Sequence, residues 1–206
     1  MQPVEAQRYC SLMAEIKARS KLITEVGPGR VPVFPQPARV EFVYLQLRKT
    51  IELIAMGSLV ANARMFAQIQ SNIQKYWNAK DLLKDVQAIN PDFYPRPVIQ
   101  KPSWRPGIKM EWLDRPVDFL TKDRFTTLYD VCGSILHARN PFAAKQDFAS
   151  LDRAWVKWYS RMVNLLNAHV IRLVGDTTLC LIQMGSDTES PTYTLFATHE
   201  LRPRNR

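Results

Sequence analysis

Two sets of side chains in this sequence have the types and spacing for work on an anion or a phosphate. Arg48 and Glu52 stand four apart in a strongly apolar stretch, so on a helix they share one face. Such a pair has two readings: an ion pair that fixes helix packing, or an anion clamp in which Glu52 orients Arg48. Further along, Asp130, Ser134 and His137 follow at intervals of four and three and flank an apolar stripe. His137 falls at the end of its helix, where the macrodipole favours an imidazolium. It can cap carbonyls or a neighbouring loop, or serve as a general acid or base near neutral pH. The turn that follows, His137-Ala138-Arg139-Asn140, packs a base, a cation and an amide together. Ser134 lies mid-helix without a GxSxG elbow, which argues against acyl transfer.

A third set is spread along a proline-rich tract. Arg96, Lys101, Trp104, Arg105 and Lys109 alternate cations with a ring. That pattern suits single-stranded nucleic acid, by charge attraction and base stacking. The other reading is that the tract's aromatic rings pin a long loop onto the helices.

These residues need a scaffold, and 206 residues suffice for one domain with a full core. The formal charge of +9 favours an anionic partner. Cys10, Cys132 and Cys180 form no disulfide framework and no zinc cluster, so we expect small core residues. With seven glycines and neither GxGxxG nor GxxxxGK[ST], Rossmann and Walker phosphate cradles are excluded. No metal or cofactor is expected. The charged N-terminal stretch and the absence of a long apolar run predict a cytoplasmic protein with no membrane partner.

The periodicity predicts a peripheral helix over 4–26, a stiff connector over 27–37, and a central buried helix over 38–63. Further helices are predicted over 77–89, 125–137 and 148–169, with Thr121 as an N-cap. His169 falls on an apolar face and reads as a core histidine. A strand is expected near 108–113, and three more at 170–174, 179–184 and 192–198. The expected fold is mainly α, a bundle of five or six helices with a small C-terminal antiparallel β-meander. All 206 residues are expected to form a single domain: peripheral helix and connector to 37, helical core 38–169, meander 170–199 and a basic tail 200–206.

The segment Leu47-Arg48-Lys49-Thr50-Ile51-Glu52-Leu53-Ile54, together with Phe125 to Phe142, resembles the HEPN-like all-helical group of prokaryotic proteins, some found near defence genes. That resemblance implies a defence- or toxin-type protein that binds RNA and could be a metal-independent ribonuclease. His137 would then be the acid/base, Arg48 or Arg139 would stabilise the phosphate, Asn140 would position the substrate, and Glu52 would orient Arg48. Active members carry Arg and His four to six residues apart, whereas Arg124 to His137 leaves twelve between and Arg161 to His169 leaves seven. Two non-catalytic readings stand beside it: an adaptor whose aromatic loop or strand edge docks a partner protein, and a nucleotide or small-ligand sensor around Arg48. Expected partners are therefore RNA, a partner protein, or a second copy in a homodimer.

Overall fold

The computed structural model describes residues 3–30, 35–63, 79–138, 142, 145–172 and 178–197. Within them the order is α1 (Pro3–Val26), α2 (Gln36–Ala61), α3 (Ala79–Ile89), β1 (Arg96–Pro102), β2 (Met110–Asp114), α4 (Lys122–Leu136), α5 (Phe148–Leu166), β3 (Ala168–Arg172), β4 (Thr178–Gln183) and β5 (Thr192–Ala197). The strands form one antiparallel sheet in the order β2-β1-β3-β4-β5.

The expectation of a mainly helical bundle with a small meander is therefore corrected. The fold is α+β, five helices among the described residues against a five-stranded sheet. The predicted meander is β3–β5, and it is extended by the β1–β2 hairpin through the pairs Arg96↔Val170 and Pro97↔His169. β1 (RPVIQKP) reads as loop because of its prolines. Pro97 is the second residue and Pro102 the last, so the missing N–H groups fall at the strand ends, where they interrupt little of the ladder.

α2 is the central helix, as its nearly all-round apolarity predicts. Val40, Val43, Tyr44, Leu47, Ile51 and Ile54 are fully buried on it. α1 is not peripheral: Ala6, Tyr9, Met13, Ile16 and Ile23 are buried against α2 and the sheet. Its many charges mask a continuous apolar seam at seven-residue spacing through Tyr9, Ile16 and Ile23. The α1–α2 corner depends on Gly27, because a Cβ there would lie 2.6 Å from the Trp155 ring and from the Ile23 carbonyl oxygen. Arg39 closes the corner by bonding the Gly27 carbonyl and pairing with Asp152 of α5.

Strand alternation divides the sheet's two faces. Ile171, Cys180 and Ile182 join the main core. Val98, Ala168 and Leu181 form a separate small cluster with Trp112 and Val170. The three cysteines are free, with Cys132 and Cys180 buried. Burial pushes the Cys132 thiol up to about 12, so it is an inert core residue.

Candidate functional site

The geometry divides the predicted residues between a closed seam and an open hairpin. In the seam, α2 lays Arg48 against α4. Its Nε donates to Glu52 Oε1 at 2.8 Å, and its Nη1 donates to the Tyr129 carbonyl at 3.0 Å. The guanidinium carbon lies 3.2 Å from the Tyr129 ring centroid. Lys49 also reaches Glu52, at 3.2 Å. The Arg48 side chain is 20% exposed and that of Glu52 26%. Both predicted partners are thus brought together, and Arg48's cation is already matched by a carboxylate, a carbonyl and a ring.

The stripe on α4 is differently placed. Thr121 caps the helix by accepting from the Arg124 N–H. At the other end His137 is the C-cap, with an exposed side chain, and its backbone N–H donates to the Gly133 carbonyl at 3.2 Å. Ser134 donates its hydroxyl to the Val131 carbonyl at 2.8 Å. Such a bond satisfies the hydroxyl within its own helix. Asp130 is exposed and pairs with Lys80 on α3. Arg139 and Asn140 lie outside the described residues.

His169 shows what a satisfied histidine looks like in this fold. It is fully buried. Nδ1 lies 2.9 Å from the Leu166 carbonyl, which can only accept, so Nδ1 carries the proton. Nε2 then accepts from the Tyr9 hydroxyl at 2.9 Å. Burial lowers its pKa to about 4, so it stays neutral and holds α1 to the sheet.

The hairpin is the open region. Its turn runs Arg105-Pro106-Gly107-Ile108, closed by the Ile108 N–H donating to the Arg105 carbonyl at 3.1 Å. Pro106 presets the first central position, and Gly107 takes φ 79° at the second, the combination a type II turn requires. Ser103 locks the approach: its N–H donates to the Lys109 carbonyl, and its hydroxyl donates to Glu111 at 2.7 Å. On this ordered tip Trp104 is 85% exposed. The Arg105 guanidinium lies 5.8 Å from the Trp104 ring centroid and 3.3 Å from Glu111. Arg96, at the hairpin's base, pairs with Asp114 at 3.3 Å. Lys101 and Lys109 are exposed and form no ion pair among the described residues.

Which aromatics anchor the proline-rich tract is now clear. Phe93 is buried in the core, and Tyr94 packs against the core and donates to the Leu120 carbonyl at 2.8 Å. Trp112 packs on the small sheet cluster. Trp104 pins nothing.

Sequence reasoning missed a set of cations near the start of α4. Lys80 and Lys84 on α3, Lys122 on α4 and Arg172 on β3 line two adjoining cavities. The spacing of Lys80 and Lys84, four apart, was a legible signal of a shared face. Their approach to Lys122 and Arg172 depends on tertiary packing. Among the described residues no group of His, Cys, Asp and Glu could hold a metal ion, and no helix is long and apolar enough to cross a membrane. Comparison with protein-family models, with curated proteins and with solved structures gives no match.

Proposed function

We propose that this protein binds single-stranded nucleic acid, RNA first, through the β1–β2 hairpin. Trp104 carries the reading. Burying an indole is worth a great deal to a fold, yet this one is held at 85% exposure on a turn ordered by Pro106, Gly107 and Ser103. It is flanked by Lys101, Arg105 and Lys109. A ring for a base, with cations for the neighbouring phosphates, is the pairing that sequence-tolerant strand binding uses. The net charge of +9 supports it, and the HEPN-like resemblance points to RNA as well.

Binding is favoured over cleavage. A ribonuclease at the seam needs an arginine free to meet a phosphate, and Arg48 is engaged on three sides. His137 stays available at the end of α4, and cleavage assays without divalent metal, comparing wild type with His137→Ala, test that role.

A second reading has its own observation. Ile108, Met110 and Leu113 on the same hairpin are each more than 40% exposed, and Trp with Arg is the usual anchor of a protein interface. The test is a titration of labelled single-stranded RNA at two salt concentrations, read by anisotropy and by tryptophan quenching. Salt-sensitive binding with quenching supports the nucleic-acid reading. Absence of binding at low salt overturns it and leaves the protein-docking one.

A further inference from the structure

The cations outside the hairpin line one groove. A cavity of about 420 Å³ lies between α3 and α4, walled by Lys80, Lys84, Lys122 and Phe93. A second, of about 340 Å³, opens beside it and is walled by Lys122, Arg96, Arg172 and Tyr94. Lys122 is common to both, so the two cavities adjoin at the first turn of α4, and we read them as one channel. Five cations line it. The one carboxylate in its walls is Asp92, 3.7 Å from Arg172.

The five are not equally free. Lys80 is paired with Asp130, Arg96 with Asp114 and Arg172 with Asp92. Lys84 and Lys122 form no ion pair among the described residues. Lys122 does sit over the Phe93 ring, at 5.4 Å from its centroid, which holds the ammonium at the junction of the two cavities. Collecting like charges in a concave wall raises the local potential and costs self-repulsion that an anion relieves. A compact anion would need a closed cage. An elongated channel with cations spaced along it fits a polyanion that repeats its charge.

We propose that this channel carries the phosphodiester backbone of the strand whose base meets Trp104. Arg96 joins the two regions. It lines the channel and begins β1, whose far end lies about 20 Å away at ordinary strand rise and leads on to Trp104. This inference rests on the nucleic-acid reading above and adds the path of the backbone.

The test separates the two. The salt dependence of oligonucleotide affinity counts phosphates neutralised, at about 0.7 in the log–log slope per contact for a single strand. In the full chain, Lys84→Gln with Lys122→Gln keeps the aliphatic stems and should lower the slope by about 1.4. A charge-matched double variant outside the channel, Lys21→Gln with Lys157→Gln, should leave the slope at its wild-type value. Trp104→Ala should weaken binding while keeping the slope. Circular dichroism confirms folding of each. An unchanged slope in the Lys84/Lys122 variant, with wild type still binding, overturns the channel and leaves the hairpin reading intact. An equal fall in both double variants also overturns it, by showing that net charge alone acts. Displacement of the strand by poly-glutamate as readily as by linear polyphosphate would reassign the channel to an acidic protein segment. No binding by wild type overturns both proposals together.

Discussion

The α2–α4 seam and the β1–β2 hairpin use the same residue types to opposite ends. Each combines arginine and lysine with carboxylate and an aromatic ring. In the seam the strong groups meet one another: Arg48 is taken by Glu52 and Tyr129, and Glu52 by Arg48 and Lys49. At the hairpin tip the ring stays exposed beside Arg105, and Lys101 and Lys109 form no ion pair among the described residues. A half-buried charge must be matched by its own chain, because water is no longer there to solvate it. An exposed one need not be. The chemistry of a residue type therefore says little until its saturation is known, and saturation is what distinguishes a packing device from a binding surface here.

That contrast makes the interior sensitive to change and the tip insensitive. The largest expected effect lies at His169. Its pKa of about 4 in the fold is below the 6.5 of a free imidazole, so the unfolded chain takes up the proton first. Stability is fully present above about pH 6.5 and is lost as the pH falls toward 4. The loss at the acid end is on the order of 3 kcal/mol. Thermal unfolding across this range should show a falling Tm, and His169→Gln should flatten the profile. A pH-independent Tm between 4 and 7 would contradict the neutral, buried assignment.

Next comes Arg48→Ala. It leaves Glu52 half-buried with Lys49 alone and strips the Tyr129 carbonyl and ring of a partner. We expect a loss of about 2 kcal/mol in chemical denaturation. Nucleic-acid affinity should stay within about twofold of wild type. A folded, equally stable Arg48→Ala that loses binding would move the site from the hairpin to the seam.

Thr121→Ala removes the cap of α4 and should cost about 1 kcal/mol in the same experiment. Because Lys122 sits in the turn that Thr121 caps, a fall in affinity beyond the stability loss would sharpen the role of that end of the helix.

The elements divide along the same physical line. Helices α2 to α5 and strands β3 to β5 were legible because each carries a clean apolar period, and Thr121 was legible as a cap from its place before one. α1 was legible as a helix, but its burial was hidden by surrounding charge. β1 was not legible at all: Pro97 and Pro102 read as breakers, and only pairing with β2 and β3 makes those positions harmless. Among the candidate residues, the i, i+4 spacing of Arg48 and Glu52 did foretell their contact. It could not foretell Tyr129, eighty-one positions away, which fills the remaining face of Arg48. The exposure of Trp104 was equally out of reach, since Phe93, Tyr94 and Trp112 lie in the same proline-rich tract and have the opposite fate in the fold.

The central claim is that the exposed tip binds and the closed seam holds. The direct measurement is single-stranded RNA affinity for Trp104→Ala beside its Tm. Loss of one stacked base is worth about 1–3 kcal/mol, so affinity should fall by roughly five- to a hundredfold. The Tm should stay unchanged, because the ring supports no packing in the fold. Wild-type affinity in the Trp104→Ala variant, or a Tm several degrees lower, would contradict the account.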